Sequence, residues 1–220
     1  MRQLLVPFYE HPAERPDAWA ALLRVPERLY GVVLNPASGS GSSPDPAFAA
    51  VAERLRAAGV RALGYVDTDY ARRPHAEVVG DLLRYRDWYG TSGAFLDQVS
   101  SGADAFAHYR RLAVAARAAG SGSLVLNHGT HPDPAYLRLA DVLVTFEGSW
   151  ETYRDAPEAP AWTAGYPADR FCHLVYEAPA DVDIAFLAAR RGAAVHCAVP
   201  GGGEHPWGTL PQGLGAAAPL

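Results

Sequence analysis

Lysine is absent from the 220 residues, so all 19 side chains counted as Lys or Arg are arginine. The 24 acidic residues give a formal net charge of -5, and nucleic-acid binding needs a basic surface instead. We therefore expect no nucleic-acid partner. Only two cysteines occur, Cys172 and Cys197, without C-x-x-C spacing. They predict buried free thiols rather than a zinc site or a disulfide framework.

Long hydrophobic runs are also missing. No stretch reaches the roughly 18 apolar residues of a membrane span, so we expect no membrane insertion. The apolar run at residues 3–9 is too short for a signal peptide and is followed at once by charge and proline. A cytoplasmic location is expected for the chain as given, and secretion if a leader has been removed from it.

Hydrophobic residues make up 49% of the chain, and they fall in short runs separated by amphipathic stretches. Continuous β-branched and aromatic runs are typical of strands that are covered on both faces. Helices are predicted over residues 46–58, 75–88, 102–119 and 181–191, with Ser101 and Asp104 capping the third. Strands are predicted at 3–9, 30–36, 61–68, 93–98, 123–128, 141–148, 171–178 and 194–201.

Eight strands alternating with helices predict parallel β/α units, which form either a closed barrel or an open doubly wound sheet. The open sheet usually carries a Gly-rich phosphate loop after its first strand, but that position here reads FYEHPAERP. We therefore predict a compact (β/α)8 TIM barrel over residues 1–203. Residues 204–220 form a Gly- and Pro-rich tail, in which Trp207 either anchors the segment or closes over the barrel mouth.

Two carboxylates end otherwise apolar strands. Asp97 follows Phe95 in the alternation of the fourth strand, and Glu147 is placed above Thr145 and Leu143 in the sixth. Active sites of such barrels lie at the carboxyl ends of the strands. A buried unpaired carboxylate costs several kcal/mol, so we interpret both as functional. The predicted polar lining around them consists of Tyr9, Asn35, Tyr65, Asp67, Gln98, Asn127, Trp150 and Tyr176.

Several of these residues have an alternative structural interpretation. Asn35 and Asn127 are equally typical of turns. Asp67 also suits an ion pair with Arg72 or Arg73, or a helix cap. The functional and structural interpretations remain open at these three positions.

The histidines and tryptophans offer further alternatives. His196 in the eighth strand is interpreted as a hydrogen-bonded core histidine rather than a catalyst. His128 and His131 have loose ligand spacing and no obvious third ligand, so no metal is predicted. Trp150 suits either a core position or a sugar-stacking platform.

Two carboxylates across a barrel mouth that is ringed by tyrosine, asparagine and tryptophan are typical of a carbohydrate site. Glycoside hydrolysis uses one carboxylic acid to protonate the leaving oxygen and a second carboxylate at the anomeric carbon. No Walker loop, dinucleotide fingerprint or G-x-S-x-G motif competes, so no cofactor is predicted.

The chain resembles spherulation-specific family 4, the spherulin-4-like proteins. This resemblance implies a glycoside-hydrolase-like (β/α)8 barrel, whose relatives cleave α-1,4-linked galactosamine or N-acetylgalactosamine in exopolysaccharides. It implies that Asp97 and Glu147 are the family's acids, whereas Gln98 departs from an Asp-Glu pair. The matching motifs are LLVPFYEHP, GVVLNPASGSG, GYVDTDYARRP, GAFLDQ, LNHGTHPDPAY and VTFEGSW.

The leading hypothesis is a hydrolase of α-linked hexosamine polymers. Glu147 is its general acid/base, and Asp97 either attacks the sugar or orients an acetamido nucleophile; the two roles can also be reversed. Gln98 motivates a rival, a non-catalytic carbohydrate-binding barrel. The absent signal peptide motivates another, a barrel enzyme acting on a small intracellular metabolite. A carbohydrate is the expected partner, and the oligomeric state is left open.

Overall fold

Eight parallel strands close into a barrel in the computed structural model, which describes residues 3–212 and residue 214. Each strand pairs with its neighbour in sequence, and the eighth closes onto the first with Gln3 opposite Val195. The predicted (β/α)8 fold is confirmed. The strands are β1 (Gln3–Pro7), β2 (Leu29–Leu34), β3 (Ala62–Asp67), β4 (Gly93–Asp97), β5 (Ser123–Asn127), β6 (Val142–Ser149), β7 (Phe171–Tyr176) and β8 (Val195–Ala198).

Helices of unequal length cover the outside of the described barrel. Two of them were not predicted: α1, which opens on a proline and buries Trp19, and α5, which is capped by Ser149. The connection between β5 and β6 contains a 3-10 helix, Pro134–Arg138. The helices are α1 (Pro16–Leu23), α2 (Pro46–Ala57), α3 (His75–Tyr89), α4 (Phe106–Ala118), α5 (Trp150–Arg154) and α6 (Ile184–Arg190).

Two predicted helix starts are wrong. The helix expected from residue 102 is α4, which begins at Phe106 after a 3-10 turn, and neither Ser101 nor Asp104 caps it. The helix expected from residue 181 begins three residues later. The carboxylate of Asp183 accepts a hydrogen bond from the Phe186 N–H at 2.8 Å and so fixes that end.

Apolar side chains pack on both sides of the strand layer. Leu5, Val33 and Phe95 belong to the cluster that fills the barrel, and a larger cluster lies between strands and helices. Cys172 and Cys197 are buried inside the barrel as free thiols, as predicted. His196 alternates with inward residues and lies buried on the outer side, which agrees with the core interpretation.

Strand β6 contains a bulge that decides where its carboxylate lies. Val142 and Val144 face the barrel interior, while Leu143 faces outward. The register against β7 then shifts between Val144 and Phe146, so that Glu147 pairs with the inward-facing Leu174. The prediction that Glu147 shares an inward face with Thr145 and Leu143 is therefore wrong. The extra residue of the bulge reverses the alternation and still brings Glu147 to the mouth.

The described part of the C-terminal segment lies against the barrel. We call residues 200–212 the C-terminal strap. Gln212 donates to the carbonyl oxygens of Ala178 and Pro179, at 3.0 and 2.6 Å, and Trp207 is buried. The predicted tail beyond this point lies outside the described residues, except for Leu214, which packs in the outer core. Over residues 3–212 and 214, every helix is too short or too polar to cross a membrane.

Candidate active site

A cavity of about 320 Å³ occupies the mouth of the barrel at the carboxyl ends of the strands. Both predicted acids, Asp97 and Glu147, line it, together with three of the predicted binding residues. Phe95 and Leu174 form part of its apolar floor. The three predicted binding residues are Tyr9, Asn35 and Asn127.

Asn127 joins the two acids. It ends β5 between the strands that carry them, and its Nδ2 donates to Asp97 Oδ1 at 2.7 Å and also to Glu147 Oε2. Its Oδ1 accepts the Gly129 N–H at 3.1 Å, which orients the amide so that its nitrogen faces the carboxylates. Asn127 is thus both a turn residue and a site residue, so both sequence interpretations apply.

Asp97 is surrounded by hydrogen-bond donors. Its Oδ2 accepts from the Tyr65 hydroxyl at 2.7 Å, and the Gln98 N–H also donates to the carboxylate. Burial raises the pKa of Asp97, while the bonds from Tyr65, Gln98 and Asn127 oppose that rise. Tyr65 therefore holds the carboxylate of Asp97 in place. Burial, together with the charge of Asp97, raises the pKa of the Tyr65 phenol.

Glu147 is the carboxyl group with the larger shift. Burial, and secondarily the charge of Asp97, raise its pKa to about 7. Hydrogen bonds from Asn127 and from the indole of Trp207 lower it in part. The site thus holds two neighbouring carboxyl groups in different environments, which is the condition for one to stay protonated while the other is ionised.

The C-terminal strap forms one wall of the mouth, a feature that the sequence left open. Trp207 is 6% exposed and lines the cavity, together with Glu204, His205 and Pro206. Its carbonyl oxygen accepts the Tyr9 N–H at 3.2 Å. Trp207 therefore anchors the strap and forms part of the wall of the mouth. An aromatic residue in an otherwise Gly- and Pro-rich tail was the signal for it.

Asn35 and Asp67 both serve turns. Asn35 Oδ1 accepts the Gly39 N–H at 2.7 Å, which leaves its amide nitrogen toward the mouth. Asp67 Oδ1 accepts the Asp69 N–H at 2.7 Å, and Arg73 donates to the backbone oxygen of Asp67 rather than to its carboxylate. Asp67 lies beside Asp97 in register but outside the cavity wall that the described residues form.

Gln98, Trp150 and Tyr176 also lie outside that wall in the described structure. Gln98 has a φ of 50°, and its carbonyl oxygen accepts from Thr68, so its main chain organises the rim. Trp150 begins α5 and packs with the outer cluster near Tyr153. Tyr176 reaches the mouth indirectly, through an edge-to-face contact with Trp207 at 6.2 Å.

The two histidines that follow β5 each contact a different aromatic ring. His128 packs edge-to-face on Tyr136 at 4.7 Å, and burial lowers its pKa to about 4. His131 contacts Trp162 at 6.1 Å. Within residues 3–212 and 214, no cluster of three His, Cys, Asp or Glu side chains is arranged to hold a metal ion.

Known proteins resemble this chain in sequence. Residues 3–196 match the sequence profile of spherulation-specific family 4. The chain belongs to this family. Spherulin-4 of Physarum polycephalum is 34% identical over 148 residues, which are 66% of this chain and 44% of that protein. The chain thus matches less than half of the length of that relative. The strap that bears Trp207 lies beyond the residues matched to the family profile.

Two solved structures resemble this spherulin-4-like barrel to different degrees. Sph3 of Aspergillus clavatus, solved in complex with GalNAc, superposes with a TM-score of 0.80 and 27% identity. The match covers 96% of this chain and 93% of Sph3. The spore cortex-lytic enzyme SleL of Bacillus cereus superposes with a TM-score of 0.54 at 11% identity, over 79% of this chain and 50% of SleL. That second likeness concerns the barrel fold alone.

Proposed function

We propose that this protein is a glycoside hydrolase that cleaves α-1,4-linked galactosamine-type polysaccharide, with N-acetylgalactosamine at the barrel mouth. The observation that carries the proposal is the pair Asp97 and Glu147, which share one amide donor from Asn127. Glycoside hydrolysis requires two carboxyl groups with different protonation states. The likeness to Sph3, which was solved with GalNAc, supports a carbohydrate-active function and this sugar.

Glu147 is the general acid. Its pKa of about 7 keeps it protonated below neutral pH, so its carboxyl O–H transfers the proton to the glycosidic oxygen as the bond to the anomeric carbon breaks. The resulting carboxylate then takes the proton from the water that completes hydrolysis. Burial of the group supplies the shift that this role needs.

Asp97 acts on the other side of the anomeric carbon. Because its oxygens and those of Glu147 bind one nitrogen, the nearest oxygens of the two groups are at most roughly 6 Å apart. This spacing favours a retaining route over an inverting one. Both oxygens of Asp97 already accept hydrogen bonds. These bonds hold the carboxylate in place to attack the anomeric carbon from the face opposite the leaving oxygen, so that a glycosyl–enzyme ester forms as the glycosidic bond breaks. The 2-acetamido group of an α-linked sugar is cis to the leaving oxygen and cannot attack that face.

A non-catalytic carbohydrate-binding barrel is the rival, and Gln98 is the observation that favours it. An amide neither donates a proton as an acid nor attacks as a carboxylate. Against the rival, the main chain of Gln98 holds Asp97 through its N–H, and the two acids at the mouth are complete without an acid at position 98. A Gln98→Glu variant distinguishes the two hypotheses. A binding barrel would cleave the polymer only after the acid is introduced, whereas a hydrolase cleaves it with Gln98 in place.

The test is reducing-end release from α-1,4-linked galactosamine polymers, in N-acetylated and de-acetylated forms. Wild type is compared with Asp97→Asn, Glu147→Gln and Gln98→Glu, and each is checked for folding by circular dichroism. We expect cleavage of the acetylated polymer by wild type, and a loss of at least about 100-fold in both acid variants. Cleavage by Gln98→Glu alone establishes the binding barrel, and no cleavage by any folded protein refutes the hydrolase.

A further inference from the structure

A second cavity, of about 540 Å³, lies beside the mouth on the outer side of β6. Glu147 lines both cavities. Thr145, Phe146 and His173 contribute to its strand side, and the segment 155–159 forms much of the opposite wall. A full crossover helix occupies this space in a regular barrel, but the connection between β6 and β7 provides the five-residue α5 followed by two 3-10 turns, Ala161–Gly165 and Ala168–Arg170.

A third hollow, of about 590 Å³, continues from the second. Ala156, Ala159 and Arg191 line both of them, so the three cavities form a row that starts at the acids. We call the second and third cavities together the β6–β7 groove. Tyr166 lies in the wall of its far part and is 42% exposed, which makes its ring available for stacking on a sugar.

The near part of the groove contains an unsatisfied polar group. Thr145 is 2% exposed, and its Oγ1 has no hydrogen-bond partner among the described residues. A buried hydroxyl without a partner destabilises the protein, and a ligand with hydroxyl or amide groups supplies the missing hydrogen bond. Thr145 is also the bulge residue of β6. The same irregularity therefore places Glu147 in the mouth and leaves this hydroxyl at the groove.

The charges of the groove favour a neutral ligand. The guanidinium of Arg191 donates to the backbone oxygens of Tyr153 and Arg154, so each of its two terminal nitrogens is held by a hydrogen bond within the protein. Arg154 pairs with Asp155 at 3.3 Å and lies 3.9 Å from Glu151. Over the whole groove, the carboxylates of Glu151, Asp155 and Glu158 are matched in number by the guanidinium groups of Arg154, Arg190 and Arg191. An N-acetylated sugar carries no charge and fits this environment.

We propose that the β6–β7 groove binds the sugar units on the leaving-group side of the cleaved bond, as a run of neutral N-acetylated hexosamines. This inference rests on the proposed function, because a general acid protonates the oxygen of the leaving group and Glu147 is the residue common to mouth and groove. The first of these sugars contacts Thr145, and a later one stacks on Tyr166. The cavity at the mouth then holds the sugar whose anomeric carbon reacts.

The test compares α-1,4-linked N-acetylgalactosamine oligosaccharides of increasing length with an aryl α-N-acetylgalactosaminide, which lacks leaving-group sugars. The variants are Tyr166→Ala, which removes the exposed ring, and Ala159→Trp, which fills the groove. Val114→Ala is the matched control, because Val114 is 66% exposed on α4 and lies outside the groove. We expect Tyr166→Ala to lower kcat/KM for the longest oligosaccharide about 2- to 10-fold and Ala159→Trp to lower it further, with the aryl glycoside unchanged.

Binding to Glu147→Gln, with and without Ala159→Trp, separates this inference from the proposed function. Affinity that rises with oligosaccharide length and no longer does so after Ala159→Trp supports the groove, even if wild type cleaves nothing and the hydrolase is refuted. If wild type cleaves and both groove variants match Val114→Ala on every oligosaccharide, the groove is refuted while the hydrolase stands. Length-independent binding by a protein that does not cleave refutes both.

Discussion

At the scale of single residues, the site depends on one amide. Asn127 donates to both acids, and Gly129 fixes its orientation, so its nitrogen is already in place before substrate arrives. Hydrogen bonds to an ionised carboxylate favour the charged form and lower its pKa. Asn127 therefore limits how far burial raises the pKa values of Asp97 and Glu147.

Replacing Asn127 by leucine tests this. We expect kcat to fall about 10- to 100-fold, because the acid loses its position, and both limbs of the pH–rate profile to move to higher pH. Asn35→Leu is the matched control, because Asn35 also binds a loop glycine but contacts neither acid. The measurement is kcat/KM against pH for both variants. Unchanged limbs in Asn127→Leu would show that the amide does not tune the acids.

Sequence reasoning reached most of these residues because a strand that ends in a carboxylate is conspicuous. Alternation placed Asp97 correctly above Phe95, since β4 is regular. The corresponding prediction for β6 was wrong, because the bulge at Thr145 interrupts the regular alternation of inward and outward side chains. No local signal marks that extra residue, because Thr145 suits a strand as well as its neighbours do.

At the scale of elements, the C-terminal strap completes the mouth. Gly201 is needed at its start, because a Cβ there would lie 2.3 Å from the Pro206 carbonyl oxygen. Its N–H donates to Thr209 Oγ1 at 3.0 Å, and the strap then brings the Trp207 indole to Glu147. The strap is thus a structured wall that adds a donor to the acid.

Trp207→Phe keeps an aromatic ring and removes the indole N–H. We expect the alkaline limb of the pH–rate profile, which reports Glu147, to rise by about one pH unit, because the lost donor favoured the ionised form. Trp150→Phe is the control, since Trp150 packs with the outer cluster. If the alkaline limbs of the two variants lie at the same pH, the indole of Trp207 does not affect the pKa of Glu147.

Secondary structure was predictable where apolar periodicity extends over a whole element. Helices α2 and α3 were predicted within one residue of their observed ends. Helix α1 was missed because its eight residues are too short for a clear period and lie in a proline-rich stretch. All strands except β6 end earlier than predicted, so that Tyr9 lies in the loop after β1, where the strap binds its N–H.

At the scale of the whole molecule, the connections between the strands explain both the short chain and the place of the groove. A (β/α)8 barrel typically takes about 250 residues, and this chain has 220. The shortest connection runs from β5 to β6, where residues 128–141 contain the 3-10 helix Pro134–Arg138 in place of a crossover helix. The connection from β6 to β7, residues 150–170, is built from α5 and two 3-10 turns, and the groove lies between these short elements and the strands.

Three buried groups with large pKa shifts dominate the pH dependence of folding stability, and Asp97, whose pKa burial also raises, adds to the effect of one of them, Glu147. Burial lowers the pKa of His128 to about 4 and that of His173 to about 3, so the unfolded chain binds two protons near pH 6 that the folded protein does not. Stability from the histidines is therefore present above about pH 6.5 and is lost as the pH falls. Glu147 acts oppositely, because its raised pKa favours the folded state at low pH, and this stability is lost as the pH rises toward 7.

Glu147→Gln removes the carboxyl group whose effect on the pH dependence of stability opposes that of the two histidines. Between about pH 4.5 and 6.5 the net difference in wild type is one proton, or about 1.4 kcal/mol per pH unit, and the variant should show about twice that slope. The variant should match wild type near pH 4.5 and exceed it by about 3 kcal/mol at pH 8, because no carboxylate then has to ionise in a buried site. Urea unfolding at four pH values measures this, with Glu151→Gln as an exposed control. A difference that does not vary with pH would mean that Glu147 is ionised at little cost, and the assignment of the general acid would then fail with it.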